Sequence, residues 1–222
     1  MSQRQAAASV WTGWHAVGVV LPTTVALALS NALAADLRLP VDPVGLGLLC
    51  LGVLATYALD SAHDFARLGW AQAARICRWT AGAAVGSLAI TVVAFPSFLW
   101  KILALGVVSF GYRRFKQVVT KDVIIVGGWA FALWALPLNG DLATLSVSPQ
   151  LWLALVLLLS LNVVGCDLLD LAVDATSGVE SLTQRLGQRR ACWLFCGLAA
   201  TSVSTVEAAD ASLGWTLAVV AM

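Results

Sequence analysis

The sequence predicts an all-α protein, a polytopic bundle of about seven to eight transmembrane helices. Composition is the first reason: 60% of the 222 residues are hydrophobic and only 11% are charged, whereas soluble domains carry about 25% charged residues. The second reason is a series of apolar runs, several of them near the length that crosses a bilayer, joined by polar connections. These features exclude the water-soluble classes, so we expect contact with membrane lipid and no nucleic-acid partner.

Apolar segments follow one another along most of the chain. They are residues 14–35, 44–59, 79–95, 98–112, 122–138, 151–161 and 191–205. Pro96 should end the third segment, whereas Pro22 inside the first is tolerated because neighbouring helices can satisfy the freed carbonyl. Residues 60–79 are predicted to form a polar loop. The last run, 213–222, is about half a span, so we treat 1–222 as one domain that ends in a short or re-entrant element or is cut short.

The distribution of basic residues predicts the orientation. If the N-terminus is cytoplasmic and every segment crosses once, 11 of the 13 Lys and Arg residues face the cytoplasm, which leaves Arg38 and Lys101 on the other side. Cytoplasmic loops of membrane proteins carry such an excess of Lys and Arg. We therefore expect an integral membrane protein, of a bacterial inner membrane, whose N-terminus and acidic clusters are cytoplasmic.

Three acids follow the apolar run 151–161, and they predict a cation site. On a helix that turns by about 100° per residue, Asp167, Asp170 and Asp174 lie within about 60° of one another. Three like charges on one face repel unless a cation sits between them, and carboxylates with open coordination positions are typical Mg²⁺ ligands. The alternative is a solvated helix end that carries a few acids.

A second acidic pair, Asp60 and Asp64, ends the second segment and is expected on the same membrane surface. The basic residues expected beside it are Arg67, Arg75, Arg78, Arg113, Arg114, Lys116 and Lys121. Carboxylates could hold Mg²⁺, basic side chains could neutralise phosphate, and the apolar helices could hold a hydrocarbon tail. The chemistry that suits such a site is departure of diphosphate from an allylic carbon, in a cavity that excludes water.

These residues resemble the UbiA superfamily of intramembrane prenyltransferases. The second motif of that family is matched by Asp167-x-x-Asp170-x-x-x-Asp174, then Gly178, then Ser181-Leu182-Thr183-x-x-Leu186-Gly187. The resemblance implies helices around a central cavity, usually nine, with Asp-rich motifs at the ends of helices two and six. We expect no counterpart of helices eight and nine among these residues.

The resemblance also implies roles for individual residues. Those expected in catalysis are Asp60, Asp64, Asp167 and Asp170, and those expected to bind Mg²⁺ are Asp60, Asp64, Asp167, Asp170 and Asp174. Those expected to bind substrate are Tyr57, Arg67, Tyr112, Lys116, Lys121 and Asn162. Asn162 could instead bond across helices. The first motif departs from the family pattern Asn-Asp-x-x-Asp-x-x-x-Asp, because Thr56 and Tyr57 stand at its first two positions, and the usual Arg-Pro element after it is absent.

Two functions remain open from the sequence. The first is a Mg²⁺-dependent prenyltransferase that moves an isoprenoid chain from a prenyl diphosphate to an aromatic or other lipophilic acceptor. The second is a catalytically weakened subunit that binds a lipid, quinone or pigment beside partners in a larger membrane complex. Tyr57 distinguishes the two functions, because a tyrosine that fills the first metal position would disfavour catalysis. A transporter is disfavoured, since no inverted repeat is evident.

Overall fold

The computed structural model describes residues 3–67, 69–115, 121–140, 145–146, 148–169 and 182–208, with the side chains of 3–19, 64, 67, 110–115, 121, 169 and 207–208 left out of the description. These residues form eight α-helices and no strand, which confirms the all-α prediction. The helices are α1 (Gln3–Leu37), α2 (Pro43–Arg67), α3 (Ala71–Ala94), α4 (Leu99–Phe115), α5 (Lys121–Ala135), α6 (Pro149–Leu169), α7 (Leu182–Leu186) and α8 (Gln188–Ala208), with a 3-10 turn at Pro96–Phe98.

Four of the described helices are long and apolar enough to cross a membrane. The candidate spans are Val20–Leu37 in α1, Pro43–His63 in α2, Ala71–Ala94 in α3 and Pro149–Leu168 in α6. Two shorter apolar helices cover Pro96–Ser109 and Asp122–Ala135. By length and composition the chain is therefore a membrane protein, as its sequence predicts.

The end of α2 corrects one prediction. Residues 60–67, expected in a polar loop, continue α2, and α3 already begins at Ala71. The helix ends where Gly69 adopts a left-handed φ of 76° and the Trp70 N–H donates to the Phe65 carbonyl at 2.8 Å. The two rings pack with centroids 5.6 Å apart, the apolar contact that accompanies this kind of helix end. No glycine or proline precedes Gly69 in this stretch, so nothing in the backbone stops the helix at Asp60.

Helix α3 packs along α2 through small residues. Ala74, Ala81 and Ala84 of α3 are buried, and Ala81 packs with Ala58 of α2. Such residues allow two backbones to approach closely in lipid. Val92 of α3 lies in the core, with Leu88 packed against it, but several other large apolar side chains of α3 are exposed, and Trp79 is 75% exposed. That outer face suits contact with hydrocarbon. The remaining described helices pair as α1 with α2, α4 with α5, and α6 with both α5 and α8.

The first end of the bundle, here named the lysine end, is defined by Asp42, Lys101 and Asn139. Lys101 is buried near the start of α4, and its Nζ donates to the Asn139 Oδ1 at 2.6 Å and to the Asn139 carbonyl at 3.1 Å. The ammonium also lies 4.7 Å from the centre of the Phe98 ring, which adds a cation–π contact. Asn139 holds a φ of 63°, a conformation that Asn adopts more readily than most residues.

Asp42 joins the start of α2 to the turn after α5. Its Oδ1 accepts the N–H groups of Val44 at 2.9 Å and Gly45 at 3.1 Å, so it caps α2, with proline at the first helical position. Its own N–H donates to the Pro137 carbonyl at 2.8 Å. A Cβ at Gly45 would overlap the Leu136 carbonyl oxygen, so the backbones touch here. The starts of α2 and α4 and the end of α5 are thus tied together.

Candidate functional site

The other end of the bundle, named the aspartate end, is defined by Asp60, Asp122, Asp167 and Leu182. It lies about 27 Å from the lysine end, since 18 residues of α2 separate Asp42 from Asp60 at about 1.5 Å each. The C-terminal halves of α2 and α6 and the start of α5 meet there. These are the helix ends at which the two acidic motifs were predicted.

Tyr57 connects these helices. The indole N–H of Trp129, on α5, donates a hydrogen bond to the Tyr57 hydroxyl. The phenol also interacts electrostatically with Cys166 on α6 and with Asp60 one turn along α2. Tyr57 of α2 therefore lies close to both α5 and α6 at this end of the bundle.

Asp167 carries the buried charge of the second motif. It lies in the last turn of α6, which ends at Leu169, and only 4% of its surface is exposed. Asp60 is exposed on α2. Asn162, five residues before Asp167 on α6, is partly buried. The structure thus brings a buried carboxylate, an exposed carboxylate and a tyrosine to one end of the bundle.

Several predicted site residues are not described in full. Asp64 and Arg67 lie on α2, Tyr112 lies on α4 and Lys121 begins α5, but their side chains are outside the description. Lys116, Asp170 and Asp174 lie outside the described residues altogether. The predicted grouping of Asp167 with Asp170 and Asp174 on one helix face therefore remains a prediction.

The described side chains do not by themselves assemble a metal centre. Among them, no group of three or more His, Cys, Asp or Glu residues is close enough to hold a metal ion. Of the five predicted Mg²⁺ ligands, only Asp60 and Asp167 have described side chains. Their oxygens are of the kind that Mg²⁺ takes from proteins, usually one or two carboxylates with the rest from water and phosphate.

Asp122, which the sequence interpretation did not select, is the second buried acid of this end. It lies in the first turn of α5, is 6% exposed, and its Oδ2 accepts the Leu182 N–H at 2.8 Å. Leu182 is the first described residue after the stretch that holds Asp170 and Asp174. In the sequence, Asp122 could have been selected because it directly follows a basic run and begins an apolar segment. The dipole of a helix favours an acid in its first turn.

The last glycine of the second motif has a structural role. Gly187 adopts a φ of 74°, a left-handed conformation that glycine reaches without steric cost. Its N–H donates to the Thr183 carbonyl at 3.0 Å, and its own carbonyl accepts the Ala191 N–H at 3.0 Å. Gly187 therefore ends α7 and begins α8 within one residue.

Helix α8 packs against the end of α6 beside Asp167. A Cβ built on Gly165 would meet the Phe195 ring at 3.1 Å, so glycine lets this ring lie on the α6 backbone.

No known protein family, curated protein or solved structure matches the chain. Function is therefore inferred from the chemistry of its own residues.

Proposed function

We propose that the protein is a Mg²⁺-dependent intramembrane prenyltransferase of the UbiA type. The observation that carries the proposal is Asp167, a buried carboxylate in the last turn of α6, at the bundle end where Tyr57 of α2 interacts with Cys166 of α6. Carboxylate oxygens are the ligands that Mg²⁺ takes from proteins, usually one or two together with water and substrate phosphate.

In the proposed site, the acidic side chains bind the metal ion, and the basic and polar side chains bind the substrate. Asp60, Asp64, Asp167, Asp170 and Asp174 would hold Mg²⁺, which supplies electrostatic stabilisation of the diphosphate leaving group. Arg67, Tyr112, Lys116 and Lys121 would bind the diphosphate oxygens, and Asn162 would contact the substrate from α6. The allylic C–O bond breaks, diphosphate leaves with the electron pair, and the acceptor forms the new bond and loses a proton. The transmembrane helices would shield the allylic cation from water.

The orientation proposed for this reaction follows from the basic residues. With the aspartate end cytoplasmic, Arg185, Arg189 and Arg190 at the α7–α8 junction also face the cytoplasm, as the positive-inside rule favours. A soluble diphosphate group would then meet the site from the cytoplasm, while its prenyl tail stays in the membrane. The proposed setting is a bacterial inner membrane.

One observation favours a second function, a binding subunit of a larger membrane complex. Tyr57 stands where the family pattern has its first acid, and its hydroxyl is held by the Trp129 indole. A phenol fixed in this way contributes no carboxylate to the first motif. A UbiA-like scaffold with that substitution could bind a lipid, quinone or pigment without turning it over.

Release of diphosphate tests the enzymatic function. Purified protein receives geranyl, farnesyl or longer prenyl diphosphates with Mg²⁺ and a panel of phenolic acceptors, and released diphosphate is measured. The comparison is the double variant Asp167→Ala, Asp170→Ala, and the control is Asp36→Ala, one residue before the end of α1 and away from the aspartate end. Release by the wild type and the control that disappears in the double variant would support the enzyme. No release by the wild type would remove it.

Restoring the first motif tests the second function. Tyr57→Asp places an acid at the family position, and Tyr57→Phe removes the hydroxyl while it keeps the ring. If Tyr57 is the reason for weak catalysis, Tyr57→Asp should increase Mg²⁺-dependent release at least about tenfold, whereas Tyr57→Phe should not. A wild type that releases no diphosphate but purifies with a bound lipid or pigment and partner subunits would identify the binding subunit instead.

A further inference from the structure

Helix α3 carries two arginines that the proposed function does not use. Arg75 and Arg78 lie in its first half, and both are exposed. Trp79, directly after Arg78, is 75% exposed. The helix Ala71–Ala94 contains no Asp or Glu, so α3 itself supplies no carboxylate that could neutralise the two guanidinium groups.

Arg75 and Trp79 lie on the face of α3 that points away from α2. At about 100° per residue, the two are about 40° apart around the helix. Ala81, which packs against α2, is about 160° from Trp79. Ile90 and Val93 continue the outer face and are 74% and 80% exposed. This face therefore runs from a basic start to an apolar end.

The length of α3 places its arginines at a membrane surface. Its 24 residues form a candidate span of about 36 Å, about 6 Å more than the hydrocarbon core of a bilayer. The excess belongs at the start of the helix, because the other end is apolar. The flexible side chain of Arg75 then reaches the headgroup layer, and Trp79 lies one turn deeper, at the interface that tryptophan favours. The phosphate groups of lipids lie in the same layer.

Two occupants could cover such a face in a membrane, a lipid or a second copy of the chain. Gly82 and Gly86 leave the middle of the face open, since a Cβ on either meets nothing within 4 Å, and glycines at this spacing allow two helices to pair closely. Two copies in one membrane have the same orientation, however, so a symmetric pair through this face would place Arg75 beside Arg75 of the other copy. Like charges in contact repel, so charge favours a lipid with an anionic headgroup.

We propose that the outer face of α3 binds an anionic phospholipid. Arg75 and Arg78 donate hydrogen bonds to its phosphate and headgroup oxygens. Trp79 packs beside the glycerol region, and an acyl chain lies along the apolar residues towards Val93. The site uses no residue of either acidic motif. The proposal thus adds a lipid partner at the flank of the bundle and does not depend on prenyl transfer.

Brominated lipids, which quench tryptophan fluorescence on contact, test the proposal. The protein is reconstituted in phosphatidylcholine vesicles that contain either brominated phosphatidylglycerol or brominated phosphatidylcholine at the same level. The part due to Trp79, one of ten tryptophans, is the difference between the quenching of the wild type and that of Trp79→Phe. We expect phosphatidylglycerol to bind this face at least about fivefold more strongly than phosphatidylcholine.

Two double variants, each measured with and without Trp79→Phe, identify the source of this preference. Arg75→Gln with Arg78→Gln removes both guanidinium groups and should abolish the preference. Arg189→Gln with Arg190→Gln is the matched control, because it removes the same charge from exposed positions at the start of α8, at the same end of the bundle. The control should keep the preference. All four side chains are exposed, so both variants should fold.

Several results would overturn the proposal. Equal quenching of Trp79 by the two lipids would show that the face does not select lipids by charge. A preference that survives Arg75→Gln with Arg78→Gln would show that these arginines do not bind the headgroup, and a preference that the α8 control also loses would assign it to the overall charge of this end. Protection of Trp79 from both lipids would mean that a second copy or another protein covers the face. Release of diphosphate is measured separately, so none of these results decides the proposed function.

Discussion

The lysine end and the aspartate end both bury charge, but they compensate it differently. At the lysine end, the Lys101 ammonium donates to two oxygens of Asn139 and lies against the Phe98 ring. At the aspartate end, Asp122 Oδ1 accepts no hydrogen bond from the described residues although it is buried. The lysine end thus compensates its buried charge within the described residues, whereas the aspartate end keeps a buried carboxylate oxygen that has no hydrogen-bond donor among them.

The size of the buried side chains also differs between the two ends. Seven leucines among the described residues are almost fully buried, and all of them lie in the half of the bundle nearer the lysine end: Leu29, Leu33, Leu48, Leu49, Leu133, Leu136 and Leu155. At the aspartate end, the fully buried Thr183 is a smaller and polar residue. Buried apolar residues of α2 and α3 nearer that end are mainly alanines, such as Ala58, Ala62 and Ala74. The lysine end thus supplies most of the large-residue core, whereas small residues pack nearer the aspartate end.

The largest effect is expected from Gly45→Ala at the lysine end. Its Cβ would overlap the Leu136 carbonyl oxygen, which is backbone and cannot rotate away. We expect a loss of more than about 3 kcal/mol in the free energy of unfolding, or failure to fold. Gly47→Ala, two residues away with nothing near its Cβ, should be neutral or slightly stabilising. Equal stability of the two variants in denaturant titrations would show that the start of α2 and the turn after α5 are not in backbone contact at Gly45.

The next effect concerns activity at the aspartate end. Asp167→Asn should lower Mg²⁺-dependent diphosphate release by about 100-fold, or about 2.7 kcal/mol of transition-state free energy. The amide keeps the size and an acceptor oxygen, so the free energy of unfolding should change by less than about 1 kcal/mol. Parallel measurement of release and of unfolding checks both. A variant that loses stability but keeps its release rate would assign Asp167 to the core.

Lys101→Met should lower the free energy of unfolding but not the release of diphosphate, which is the reverse of Asp167→Asn. It removes two charge-assisted hydrogen bonds to Asn139, so we expect a loss of about 2–3 kcal/mol in the free energy of unfolding. Release per folded molecule should stay within about twofold of the wild type, because the site lies about 27 Å away along α2. Asn139→Gly, which keeps the left-handed backbone but removes one acceptor, should cost less, about 1 kcal/mol. A Lys101→Met variant that is stable but inactive would place function at the lysine end.

The smallest effect is expected from Gly165→Ala at the aspartate end. The new Cβ would meet the end of the Phe195 ring at 3.1 Å, and a ring can shift where a backbone carbonyl cannot. We expect a loss of less than about 1 kcal/mol in the free energy of unfolding. Gly197→Ala, with nothing near its Cβ, is the control. A loss as large as that of Gly45→Ala would mean that both ends are packed with equal rigidity.

The helix pattern could largely be predicted from the sequence, because apolar length and proline position decide it. Pro96 ends α3 as expected, and Phe95 is the C-cap residue of that helix. The predicted loop at 60–79 was wrong because polarity was taken as a sign of loop, whereas the backbone signal is Gly69. Helix α7 was not predicted, since its five residues are too short for an apolar period to show.

The candidate site could be predicted only in part. Asp167 was found because its spacing from Asp170 and Asp174 is unusual in so apolar a chain. Asp122 and Lys101 were not selected, because one charge in an apolar segment has no spacing to interpret. Their importance depends on contacts with Leu182 and Asn139, which are 60 and 38 residues away in sequence.

Ligand-induced stabilisation tests the division between the two ends most directly. The unfolding of the wild type, Asp167→Asn and Lys101→Met would be followed with and without Mg²⁺ and farnesyl thiolodiphosphate, an analogue that resists cleavage. A ligand at about 100 times its Kd stabilises a protein by about 2.7 kcal/mol. We predict this gain for the wild type and for Lys101→Met, even though the latter starts from lower stability, and its loss in Asp167→Asn. An equal gain in Asp167→Asn, or a gain lost only in Lys101→Met, would contradict the assignment of ligand binding to the aspartate end.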